Sequence, residues 1–261
     1  MKSNRRFFCL LFSLALVSGS FFSPPRPAAD GPIQTLIIDA GHGGKDPGSL
    51  GSRYYEKDLA LAIAQRLRQI VNENMPHIRI VMTRDSDRFV SRGRRGAMAQ
   101  SQRGDFFVSI HCNGSVNPHA SGTSTYVMGI NEGEEADETI VAENESMMME
   151  DDYRSLTGGF EPNSPEAHIY FKLLKNAFRQ ESMHLADKIQ HQYKYQLGRK
   201  NLGVKQAPFV VLYMSGMPAV LTETGFITNR EEETFLASEN GQSYLAACIY
   251  RAIRDYNQEF K

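Results

Sequence analysis

The run Leu36–Ala40 breaks off at Gly41-His42-Gly43-Gly44, and that junction constrains the fold more than any other segment of the chain. A short apolar run closed by glycines reads as a strand buried on both faces, the kind found in parallel sheets covered by helices. The glycines let the backbone turn sharply and approach a ligand closely. Downstream, Leu59, Ile63, Leu67, Ile70 and Val71 recur at helical spacing behind Glu56, a carboxylate placed where a helix dipole favours negative charge. Strand patterns follow at 79–83, 105–110 and 123–128, with a basic helix at 91–102 between the first two. Strands alternating with helices imply βαβ units. The expected architecture is α/β: a three-layer sandwich with a mixed, mostly parallel sheet of about six strands flanked by helices. Beyond residue 165 the pattern gives a long amphipathic helix to about residue 195, last strands at 209–212 and 219–222, and a closing helix pair over 229–256.

The 261 residues, 41% of them hydrophobic, suit one globular domain. A net charge of −1 supplies no long-range field to attract nucleic acid. Lys2, Arg5 and Arg6 precede the apolar run Phe7–Val17, then small residues and a Pro/Ala stretch. That order reads as a secretory signal peptide over 1–29, leaving 30–261 as the exported domain. The competing reading is a retained anchor, but the run falls short of the roughly 20 apolar residues that a membrane span needs. Cys112 and Cys248 are too few and too far apart to form a disulfide framework. Alternation along the strand turns Cys112 away from its neighbour His111, so it reads as a core thiol; a Cys-His nucleophilic pair is the alternative.

His42, Glu56, His111 and Glu223 each sit at a strand end or a helix start, within GHGG (41–44), YYEKD (54–58), SIHCN (109–113) and LTETGF (221–226). Ligands in sheets of this kind collect at the carboxyl ends of strands. Two imidazoles and one carboxylate make a three-ligand catalytic zinc set that leaves a fourth position open to water. A second carboxylate close by can take that water's proton. Glu223 is the candidate base; a fourth, structural ligand is the competing role. Asp39 either orients His42 or caps the loop. Asn113, two residues past His111, either bonds a substrate peptide or serves a turn beside Gly114. His77, His119, His168, His184 and His191 bring no carboxylate set with them and read as surface residues.

The blocks IDAGHGGKDPGSLG, YEKDLALAIAQRL, VMTRDSDRFV, FFVSIHCN and PAVLTETGFITN, in this order from about Thr35 to about Tyr256, resemble the zinc-dependent N-acetylmuramoyl-L-alanine amidases of the amidase_3 type. Arg95 fits the family's helix after the TR block, whereas Ala99-Gln100 stands where the family usually has Ala-Asn. The resemblance implies a phosphorylase/hydrolase-like fold and one zinc ion held by His42, Glu56 and His111, with Glu223 as the catalytic glutamate. It implies a periplasmic enzyme that cuts the lactyl-amide bond between N-acetylmuramic acid and L-alanine in peptidoglycan, with no membrane contact after signal cleavage. Zinc and a glutamate base would equally serve a peptidase cutting within the stem peptide. A non-catalytic wall-binding module is the other class to separate.

Residues 130–165 interrupt the rhythm with an acidic, methionine-rich stretch. Connections longer than about 12–15 residues are usually functional or disordered. Ile140, Val141, Met147 and Met148 among acidic residues suit a short amphipathic helix able to dock over a groove. The segment Ala142-Glu143-Asn144 resembles the inserted helix of division amidases, whose glutamate occupies the open zinc position. Glu143 is then the regulatory residue, with Glu145 and Glu150 behind it, and a protein activator would release the closed form. A solvated acidic loop is the plain alternative.

Overall fold

Thr35–Ala40 forms strand β1, whose last five residues are buried, as a run with no polar face requires. The computed structural model describes residues 31–129 and 165–260. Helix α1 (Glu56–Asn74) buries Leu59, Ala60, Ile63, Ala64, Leu67 and Val71 along one stripe. It stops at Met75, just before Pro76, and the residue before a proline is disfavoured from helical geometry. β2 (Arg79–Met82) follows, then α2 (Arg92–Ser101), whose first turn is capped by Ser91 accepting from the Arg94 N–H at 3.4 Å. Next come β3 (Phe106–Asn113) and β4 (Thr123–Met128), both buried throughout. The remaining elements are α3 (Pro165–Leu197), β5 (Asn201–Ala207), α4 (Val210–Ser215), β6 (Ala219–Phe226), α5 (Arg230–Ala237) and α6 (Glu239–Gln258).

The six strands form one sheet in the order β2-β1-β3-β6-β4-β5. Among the described strands only the β4–β6 pairing is antiparallel, so β4 and β5 run against the other four. The expected mixed, mostly parallel sandwich is what forms. One face packs Ile38, Val108, Ile110 and Val220 against α1, α3 and α6. The other packs Ile37, Phe107, Tyr126 and Leu221 against residues of α2 and α4. Each such fully buried side chain contributes roughly 1.5–3 kcal/mol relative to exposure.

Two expectations need correction. Phe209–Leu212, expected as a strand, instead leads into a short helix, Val210–Ser215, ended by Gly216 at φ 65°. A short β-branched run fits a buried helical turn as well as a strand, and α4 buries Val211, Leu212 and Tyr213. The strand Asn201–Ala207 was not expected, because an edge strand with exposed and half-buried positions carries little apolar signal. Expectations placed on residues 1–29 and 130–164 lie outside the described residues.

β1, β3 and β6 run parallel, so their carboxyl ends share one edge of the sheet. α1 begins at that edge because it follows β1 through a single loop. β4, running the other way, brings its amino end there.

Candidate metal centre

The chain leaves β1 through His42 at φ 56°, Gly43 at φ 126° and Gly44 at φ 59°. A non-glycine residue in the left-handed region is strained and persists only when its surroundings over-determine it. Two buried guanidinium groups do so here. Arg84 donates from Nε to the Ala40 carbonyl at 2.9 Å and from Nη2 to the Gly41 and Lys57 carbonyls at 2.6 and 2.7 Å. Arg95 donates from Nη1 to the Ala40 carbonyl and from Nη2 to the His42 carbonyl, both at 2.6 Å. Three successive carbonyls, those of residues 40, 41 and 42, are thus clasped on the ligand-bearing turn.

Asp39 is the counter-charge. It accepts from Arg95 at 2.8 Å, Thr83 Oγ1 at 2.6 Å and Ser109 Oγ at 2.7 Å. Burial alone would raise its pKa, but Arg95 and the two hydroxyls outweigh burial and hold it below the usual carboxylate value. Burial, with Arg95 nearby, pulls Arg84 down to about 10, so it remains charged at neutral pH. Asp39 therefore supports His42 through Arg95, and the carboxylate beside the imidazole is Asp46. Its Oδ2 lies 3.0 Å from His42 Nδ1, and its Oδ1 accepts from the Gly48 N–H at 3.1 Å. A carboxylate on one ring nitrogen sets the tautomer and leaves the other nitrogen for a metal.

His42, Glu56 and His111 converge, all buried, with one ligand atom from each lying within 4.8 Å of the others. His42 Nε2 and His111 Nδ1 approach the same oxygen, Glu56 Oε1, at 3.1 and 3.0 Å. Glu56 is steadied by the Ser49 N–H on Oε2 at 2.7 Å and the Cys112 N–H on Oε1 at 3.0 Å. Burial works against its charge, but His42 and His111 overcome burial and hold its pKa at about 2. Ligand atoms about 2.0–2.1 Å from a tetrahedral ion stand about 3.3–3.4 Å apart. The two imidazole–carboxylate separations fall within a few tenths of that, and all three donors lie within 4.8 Å of one another, so this donor set fits a zinc-type ion.

Gly41 and Gly48 make the convergence possible. A Cβ at Gly41 would lie 2.4–2.7 Å from the His111 ring, and one at Gly48 2.6 Å from Glu56 Oε2 and 2.7 Å from His42 Cδ2.

Glu223 is buried in the interior of β6, in register with His111 on β3. The strand runs past the expected end at residue 222 because β3 and β4 flank it on both sides. Asn113 closes β3, buried, and its carbonyl accepts from the Ile227 N–H at 2.8 Å. A register shift separates it from His111, so simple two-residue alternation does not relate their directions. Gln100 donates from Nε2 to the Met214 carbonyl at 2.8 Å and thereby ties α2 to the end of α4. Cys112 packs in the core on the opposite face from Asp39 and Glu223, 3.3 Å from Thr224 Oγ1. Burial, and then the Glu56 charge, push its thiol well above the normal value, the reverse of what a nucleophile needs. Cys112 and Cys248 are free thiols. His77, His119 and His191 are exposed, and half-buried His184 pairs with Glu259 at 3.0 Å. Glu143, Glu145, Glu150 and the His168 side chain lie outside the described residues.

The sequence reading missed Asp46 and Arg84. Asp46 was visible as a carboxylate four residues from His42 within a glycine loop, and Arg84 as a charged residue directly after a strand.

The family model of N-acetylmuramoyl-L-alanine amidases, Amidase_3, matches residues 36–255. The chain belongs to that family. It is therefore a peptidoglycan amidase by descent. YqiI of Bacillus subtilis strain 168, an uncharacterized protein, is 32% identical across 94% of this chain and 96% of its own length. The N-acetylmuramoyl-L-alanine amidase AmiC of Escherichia coli O6:H1 is 31% identical across 89% of this chain, which spans 55% of AmiC. Among solved structures, an N-acetylmuramoyl-L-alanine amidase from Clostridium difficile 630 superposes on this amidase with a TM-score of 0.64. That match has 27% identity and covers 87% of this chain and 98% of the other.

Proposed function

We propose that this amidase is an exported zinc enzyme that hydrolyses the bond between the lactyl group of N-acetylmuramic acid and the L-alanine nitrogen, with Glu223 as general base. One observation carries the reading. A three-residue set of two imidazoles and a carboxylate is bordered, one strand over and in register with His111, by a second buried carboxylate, that of Glu223. His42, Glu56 and His111 hold the ion, and zinc, when bound, supplies the Lewis acidity that makes water nucleophilic at neutral pH. Asp46 keeps His42 in the ligating tautomer, and the Arg84–Arg95 clasp keeps its backbone in place. Glu223 takes the proton of the attacking water and delivers it to the departing L-alanine nitrogen. Asn113 contacts the peptide on the leaving side.

The basic and apolar order of residues 1–29 supports export, and no described helix is long and apolar enough to cross a membrane. Glu143, carried on the acidic insertion, closes the enzyme by putting its carboxylate where the nucleophilic water belongs. A protein activator that binds the open form better shifts the population toward it.

The experiment is a zinc assay run beside turnover. Glu223→Gln should keep the metal and lose roughly 10²-fold or more in hydrolysis, whereas His42→Ala and His111→Ala should lose metal and activity together. Near-normal turnover in the Gln variant would assign the proton transfer elsewhere, and full zinc content in either Ala variant would undo the ligand set.

A further inference from the structure

His111, Glu223 and Ser124 stand in one row across β3, β6 and β4, each in register with the next. Tyr126, two residues along β4 from Ser124, packs with its own register partner Leu221 in the cluster on the α2 and α4 face. Strand alternation therefore puts Ser124 on that face too, beside Glu223. The residue is completely buried, and its Oγ has no hydrogen-bond partner among the described residues. Native proteins hold few such groups, because each forfeits its hydration without replacement. Alanine would fill the same space on the strand without that cost, so the hydroxyl calls for a partner that it meets in another state of the site. The neighbouring pair of the same ladder shows the reach: on the opposite face Thr125 and Thr222 join β4 and β6, hydroxyl to hydroxyl, at 3.2 Å.

We propose that Ser124 is a positioning residue for amide hydrolysis: during turnover its hydroxyl donates to the Glu223 carboxylate and holds it toward the scissile bond. This rests on the reading of Glu223 as the base. Glutamate has three side-chain torsions, and a misaimed base loses rate even when its chemistry is intact. A short, directly opposed hydroxyl restrains those torsions without taking the proton, because an ionised carboxylate only accepts. Cross-strand neighbours on one face stand about 4.5–5.5 Å apart at Cβ, close enough for one side chain to bend to the other.

The test uses the full mature chain, zinc-loaded, with a purified muramyl-peptide as substrate and released stem peptide as the readout. Ser124→Ala should lower kcat about tenfold, the range of a hydrogen bond to a charged group, with KM, zinc content and thermal midpoint unchanged. Ser124→Thr keeps the hydroxyl and should restore most of the rate. In a Glu223→Gln background, Ser124→Ala should cost nothing further, because the group it positions has already lost its function. An unchanged kcat in Ser124→Ala overturns the proposal. So does a loss that multiplies with that of Glu223→Gln, which would have Ser124 acting on its own, or a loss that comes with reduced zinc or a lower midpoint. Failure of the base assignment reads out separately, as near-normal turnover in Glu223→Gln alone.

Discussion

Replacing Gly41 with alanine probes the construction of the metal site without touching a ligand. The backbone there is not in the left-handed region, so the new methyl adds volume and no backbone strain. Its Cβ would stand 2.4 Å from His111 Cε1, 2.5 Å from Nε2 and 2.7 Å from Nδ1. Carbon atoms in ordinary contact sit about 3.5–4.0 Å apart, so the ring must retreat by about 1 Å. Metal–ligand distances tolerate only about 0.2 Å. His111 is also committed to Glu56 at 3.0 Å and packed edge-on to His42 with ring centroids 4.9 Å apart, so it has little room to move as a body. Overpacking of this kind costs about 1–3 kcal/mol. Charged to the metal-bound geometry alone, that is about a 5- to 150-fold loss in zinc affinity. Competition against a chromophoric chelator measures the affinity, and thermal unfolding of the metal-free protein measures what the apo fold has absorbed. Weak zinc binding with a near-native apo midpoint is the expected pair. Native zinc affinity together with full turnover would mean that the ring and turn yield freely, and would refute the claim that glycine is required there.

Arg95→Ala strands the buried Asp39 carboxylate and frees the His42 carbonyl, while Arg84 still holds that of Ala40; urea unfolding should show a loss of about 3–5 kcal/mol. The Asp39 pKa lies below its unfolded value of 3.8, so the stability it adds is fully present above that value and is lost as pH falls through the lower folded value. Unfolding curves at about pH 5 and about pH 3 should therefore diverge more in the wild type than in Asp39→Asn; equal divergence would remove Asp39 from the acid response. Deleting residues 131–164 behind a short Gly/Ser bridge, or changing Glu143 to Ala, should raise basal hydrolysis of sacculi. A folded, zinc-loaded deletion variant with unchanged or lower activity would leave the insertion as a substrate-contacting lid.

Much of the sheet was legible because burial on both faces leaves plain apolar runs: β1 and β4 form where the patterns put them, and β3 begins there but runs on through His111 to Asn113. His42, Glu56 and His111 were legible for a related reason, since parallel strands and the helix after the first of them must deliver side chains to one edge. α4 and β5 were not. Phe209–Leu212 is too short for its periodicity to separate helix from strand, and Asn201–Ala207 pairs on one side only, so half its positions remain polar or exposed. That Asp39 was weighed for orienting His42 while Asp46 was passed over has one cause, the positive φ at residue 42. Strand alternation stops having meaning there, and the chain folds back so that a residue four positions later meets the ring. Arg84 escaped notice because a buried arginine is recognised by the carbonyls around it, and those of Ala40, Gly41 and Lys57 lie 44, 43 and 27 residues earlier in the chain.

Mass spectrometry of the products released from purified sacculi tests the central claim most directly, run with the enzyme as purified, after chelation, and after zinc is returned. The account predicts intact stem peptides bearing a new L-alanine amino terminus and glycan strands stripped of peptide, abolished by the chelator and restored by zinc. Fragments cut within the stem peptide, or release that persists without metal, would contradict it.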